Sequence, residues 1–285
     1  MSAIVNIVLL STAAGLGTGL GGLIAVIRRP GYRSFGLLMG FASGVMITLS
    51  FHELVAEAWA EGGWVLATIG FAAGAFVMFA IDLLTPHIRF AERENGTHSE
   101  PIETCVMTGE PVGRPPHRGH RRGHHPNWSH RYMPVNQKLL RTGMLMAIGI
   151  SIHNMPEGIV VGAGYMHQPA FGIFIALAIA LHNIPEGIAT AMPLCMGGAC
   201  TLDALRTTFL SGMVEPIGAL LAALVLSSFQ GLIPAALAFA GGVMVFLTLD
   251  ELIPSAREHG HQHYTAIGII TGAVFVFVLS GTLGV

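Results

Sequence analysis

Apolar runs of bilayer-spanning length recur along the whole chain, separated by short segments that carry charge, proline or glycine. Crossing a hydrocarbon core takes about 20 consecutive, mostly apolar helical residues, and only helices or closed barrels satisfy their backbone polar groups there. Cutting the 285 residues at these interruptions predicts eight helical spans, near 3–27, 34–56, 63–84, 138–162, 169–196, 201–226, 232–253 and 263–283. The expected fold class is therefore an all-α polytopic membrane protein. With 52% hydrophobic and 11% charged residues the chain is too apolar for a soluble globular domain, and membrane lipid is its expected solvent. A net charge of −2 gives no ground for expecting a nucleic-acid partner.

The 14 lysines and arginines all fall on one predicted side, and the opposite loops hold only Glu57 and Glu61. Basic residues favour the cytoplasmic side, which predicts a cell-membrane protein (inner membrane in a Gram-negative bacterium) with both termini outside. No basic region precedes the first apolar stretch, so 3–27 is expected to be a retained span rather than a signal peptide. Residues 1–84 would hold the first three spans and 137–285 the last five. Between them, 85–136 is rich in Pro, Gly and Arg and holds His87, His98, His117, His120, His124, His125 and His130, which predicts a disordered cytoplasmic loop. Its imidazoles suit weak metal buffering, with a solvated linker as the alternative; His259, His261 and His263 form a smaller cluster on the same side. Cys105, Cys195 and Cys200 are an odd number on a side where thiols stay reduced, so no disulfide framework is expected.

Two internal repeats organise the spans. HNMPEGIV at 153–160 matches HNIPEGIA at 182–189, and GVMITLSFHEL at 44–54 matches GVMVFLTLDEL at 242–252. Given the order of spans, each pair runs antiparallel across the membrane, the mark of inverted repeats that exchange access around a midplane site. The expected plan is three spans, a central antiparallel pair and three more, a 3+2+3 arrangement.

The central pair carries the chemistry. His153 and Glu157 are four residues apart and share a helix face with Asn154 nearby; His182, Asn183 and Glu186 repeat the set. Antiparallel copies converge two imidazoles, two carboxylates and two amides, a composition suited to zinc, iron or other divalent transition metals. Pro156 and Pro185 free the carbonyls of Ile152 and Leu181, which predicts locally broken helices, and Gly158 and Gly187 permit close helix approach. An acidic residue at mid-span costs roughly 2.5–3.5 kcal/mol, so Glu157, Glu186 and Glu215 together cost on the order of 10 kcal/mol. No Lys or Arg lies within a span to offset them, which leaves protonation, hydration or a passing cation. Glu215 precedes Pro216 and is expected at the same site or beside it, while Met46 offers a thioether whose alternative is packing. His52, Glu53 and Glu57 at one mouth, and Asp250 and Glu251 at the other, are candidates for entrance and exit.

These motifs resemble the ZIP family of metal transporters, within it the bacterial broad-specificity branch, over essentially the whole chain: HNMPEG and HNIPEG in adjacent spans, VEPIGA in the next, and a His-bearing loop after the third. The resemblance implies uptake of divalent cations (zinc, iron, cadmium, manganese, cobalt) into the cytoplasm and a dinuclear centre holding two ions. His153, Glu157, His182 and Glu186 would form one metal position, and Asn154, Asn183 and Glu215 the other, with Glu157 and Glu186 bridging. The ions would be substrate, with no prosthetic group expected, and a homodimer is an assembly such chains form.

The rival class is an intramembrane dinuclear metalloenzyme, since paired His and Glu also hold catalytic metals. The expected signature is missing: His52-Glu53 is followed by Leu-Val-Ala, with no second histidine four residues after the first. A metal-sensing receptor would want a folded output domain, which 85–136 does not resemble.

Overall fold

A computed structural model describes residues 3–84, 136–258 and 260–284, and these are helical with short connections. Among the described residues, seven helical stretches are long and apolar enough to cross a membrane. The elements are α1 (Ala3–Ile27), α2 (Tyr32–Thr48), α3 (Ala56–Leu84), α4 (Gln137–His167), α5 (Pro169–Met196), α6 (Thr201–Gly212), α7 (Glu215–Ser228), α8 (Ile233–Leu247), α9 (Ile253–Glu258) and α10 (Gln262–Leu283). Apart from Asn136, whose side chain accepts from the Leu139 amide and caps α4, the His-rich segment and the readings placed on it lie outside the described residues, as does His259.

One stretch, Tyr32–Leu83, is 52 residues long. At 1.5 Å per residue it would extend about 78 Å if straight, more than twice the hydrocarbon thickness. It turns at Gly63, whose φ of 77° and ψ of 164° are not helical. This is a conformation that glycine adopts without a Cβ penalty.

The proline expectation was met at a different place. Pro156 and Pro185 remain inside α4 and α5, which stay helical through them. α5 is the most enclosed of the long apolar helices, and packing holds its path past the missing hydrogen bond. The interrupted helix is instead Thr201–Ser228, which opens at Met213 and Val214, so that Glu215 becomes the first residue of α7 and Pro216 the second. Proline at the start of a helix loses no intrahelical bond. Cys195 is a free thiol, whereas Cys200 is disulfide-bonded, against the expectation of reduced thiols.

The two GVM repeats fold alike. Each ends in a π-helical turn, Leu49–Val55 and Thr248–Leu252, a rare local geometry that tends to mark functional segments. At matching positions Ser50 and Thr248 donate to the carbonyls of Met46 and Met244, both at 2.7 Å. Glycine contacts repeat in register as well. Gly44 of α2 lies on the Ile269 carbonyl of α10 and Gly272 on that of Phe41; Gly242 of α8 lies on the Phe71 carbonyl of α3 and Gly74 on that of Phe239. At the centre, Gly158 of α4 rests on the Glu215 carbonyl and Gly187 of α5 on the Thr18 carbonyl of α1. A Cβ at any of these six glycines would collide with backbone. Small residues thus bring the helices to backbone contact, which substitutes for the hydrophobic drive that lipid does not supply.

Candidate metal centre

The doubled His-Asn-Pro-Glu motif lies in the most enclosed part of the bundle. Asn154, Glu157, His182, Asn183 and Glu215 have no exposed surface, Glu186 is 1% exposed and His153 4%. Because α4 and α5 run antiparallel, their shared faces meet. Glu157, His182 and Glu186 each bring one ligand atom to within 4.8 Å of the others, and His182 Nε2 lies 3.1 Å from Glu157 Oε1.

The amides tie this group to the flanking helices in matched fashion. Asn154 Nδ2 donates to the Ser211 carbonyl of α6 at 2.9 Å, and Asn183 Nδ2 donates to the Ala14 carbonyl of α1 at 3.1 Å. Asn183 also donates to Glu215 Oε1, which draws the α7 carboxylate toward α5. Each Asn spends its donors on protein and keeps its oxygen, so six buried oxygens have no hydrogen-bond partner: Asn154 Oδ1, Glu157 Oε2, Asn183 Oδ1, both of Glu186 and Glu215 Oε2. Burying a polar group without a partner costs roughly 1–3 kcal/mol, and more for a charged one. The ion pairs at the centre are to histidine. Oxygens and imidazoles grouped in this way fit a divalent cation of borderline hardness.

His153 is turned differently from its repeat partner. Its Nε2 lies 3.0 Å from Glu251 Oε2, on the second π-helical turn. Glu251, a candidate exit residue, thus stands next to the central motif, while Asp250 faces outward. On the first π-helical turn, His52 Nδ1 lies 3.0 Å from Glu53 Oε1; the His52 side chain is half exposed and meets Phe277 edge-on, and Glu53 is buried. Met46 is buried, with its sulfur 3.7 Å from the Thr248 hydroxyl on the π-helical turn that carries Glu251. The structure thus groups Glu157, His182 and Glu186 directly, joins Asn183 to Glu215, and links His153 to Glu251.

Two features escaped the motif reading. Thr18 of α1 takes the place opposite Gly187 that Glu215 takes opposite Gly158, and its hydroxyl is buried without a partner. His167 closes α4 beside Glu57 and Glu61. Only the first could have been anticipated, by extending the internal repeat to spans one and six.

A multi-helix membrane protein with a buried His/Glu/Asn cluster at a helix break is the architecture of an ion-transporting bundle. The sequence model of the family described as ZIP Zinc transporter matches residues 2–280, and the chain belongs to that family. Among its relatives, the zinc transporter ZupT of Corynebacterium efficiens is 38% identical, covering 95% of this chain and 94% of the relative. Zinc transporter ZupT of Akkermansia muciniphila is 36% identical, covering 97% of each, and that of Campylobacter jejuni 34%, covering 97% and 96%. The chain is a multi-pass cell-membrane protein of a transporter family.

Proposed function

We propose that this protein takes up divalent transition-metal cations into the cytoplasm, zinc first, with iron, cadmium, manganese and cobalt as further cargo. The observation that carries this reading is the buried group Glu157, His182 and Glu186 with its surrounding unpartnered oxygens. A cation passing between these groups offsets their desolvation. The number of ligand atoms accommodates two ions, with Glu157 and Glu186 shared between a position that adds His153 and His182 and one that adds Asn154, Asn183 and Glu215.

The metalloenzyme reading is set aside, because the relatives are named transporters. Counting the Tyr32–Leu83 stretch as two spans that meet at Gly63 gives eight, and the paired glycine contacts and paired π-helical turns support a 3+2+3 inverted repeat. Eight spans and the basic residues on one side put both termini outside. In such a bundle the antiparallel halves can exchange inward and outward access around α4 and α5 without rebuilding the site.

The test is uptake into proteoliposomes that enclose a zinc-sensitive dye. Saturable influx above empty liposomes is the expected result; metal binding without influx would overturn the transport reading.

A further inference from the structure

We propose that Glu57, Glu61 and His167 form a second divalent-metal site, at the mouth of the bundle where α3 begins and α4 ends. Its role as a capture point for cargo rests on the transport reading; its ability to bind metal rests on the cluster itself.

His167 Nε2 lies 3.1 Å from Glu57 Oε1, and its Nδ1 lies 3.3 Å from Glu61 Oε1. One ligand atom from each of the three residues falls within 4.8 Å of the others. Glu57 and Glu61 are four apart on one helix face, where two like charges repel and destabilise a helix by a few tenths of a kcal/mol. A cation between them reverses that sign. Imidazole with two carboxylates is a donor set that zinc, iron, cobalt and manganese all accept. The His167 ring is held edge-on to Phe171, with centroids 5.5 Å apart, which limits its freedom before an ion arrives.

Access separates this cluster from the central one. Its side chains are 37%, 42% and 15% exposed for Glu57, Glu61 and His167, whereas the central ligands are buried. Trp59 and Trp64, on the same segment, are 55% and 62% exposed. Exposed tryptophans favour the membrane–water interface, which puts the cluster at the depth where a hydrated ion arrives.

The fold does not require Glu57 and His167. In register with the repeats, Glu57 corresponds to Ser255 and His167 to Met196, while Glu61 corresponds to His259, which lies outside the described residues. The matching mouth at the other end of the bundle is built on the same helix plan without the counterparts of Glu57 and His167. Their pairing is an addition to one mouth, the one opposite the basic loops.

The test uses purified full-length protein titrated with Co²⁺, followed by its visible absorption. His167→Ala and Glu57→Gln/Glu61→Gln are each expected to weaken one class of Co²⁺ site at least about tenfold, since even the loss of a ligand's hydrogen-bond partner costs about that much. Glu157→Ala/Glu186→Ala should retain that class. Because the carboxamide variants keep shape and helix, they answer the question even where His167→Ala folds poorly. Unchanged Co²⁺ titration in both mouth variants, with or without a lower melting temperature, would make the cluster an ion-pair latch only and overturn the proposal. Absence of zinc influx in wild type with the mouth class intact would instead count against the transport reading alone.

Discussion

Gly15 of α1 and Gly212 of α6 each rest on the other's backbone carbonyl. This reciprocal contact joins the two helices that bracket the central pair, α1 beside α5 and α6–α7 beside α4. One turn further along, Thr18 and Glu215 hold equivalent places against Gly187 and Gly158. The crossing leaves no room for a side chain from either partner, and backbone cannot rotate away as a flexible side chain can. Gly15→Ala and Gly212→Ala should each destabilise the folded protein by about 1–3 kcal/mol. Gly31, with nothing within 4 Å of an added Cβ, is the control, and Gly31→Ala should stay within about 0.5 kcal/mol of wild type. Thermal melting in detergent, followed by tryptophan fluorescence, reads the difference; equal melting of all three would show that the crossing tolerates bulk.

Asn183 links two carboxyl-bearing helices through one amide, donating both to Glu215 and to the Ala14 carbonyl. Removing it frees the Glu215 carboxylate to turn and deletes a buried, unpartnered oxygen from the cluster. Asn183→Ala should weaken central Zn²⁺ binding by about 10–100-fold. Calorimetric titration measures this, and wild-type affinity in the variant would remove Asn183 from the site.

His153 and Glu251 act through a shared contact of 3.0 Å, so their substitutions should not add. His153→Ala combined with Glu251→Gln should raise the KM for zinc uptake no further than the worse single variant, with a coupling of about 0.5–3 kcal/mol. Strictly additive losses would mean that the two residues serve separate steps.

Much of this was legible in the sequence because internal repeats leave matched words. HNMPEG and HNIPEG located the buried His, Asn and Glu cluster, and the two GVM copies located the paired helices. Pro156 and Pro185 do not mark the helix break, because a proline interrupts a helix only where packing does not hold it, and α4 and α5 are held. The break at Met213 and Val214 falls just ahead of Pro216, where the next helix can begin at Glu215. Glu251 looked like a residue of the inner mouth because it falls near the end of its predicted span, 232–253. It sits instead on the π-helical turn Thr248–Leu252, beside His153. The mouth cluster was half visible, in Glu57 and Glu61, but its histidine comes from a helix more than a hundred residues on and is brought there only by the fold.

Passage of cargo between Glu157, His182 and Glu186 is read by zinc influx into dye-loaded proteoliposomes, compared between wild type, Glu157→Ala and Glu186→Ala at equal amounts of inserted protein. Saturable influx in wild type and loss of most of it in both variants is the expected result; wild-type influx through both would contradict a route through these residues.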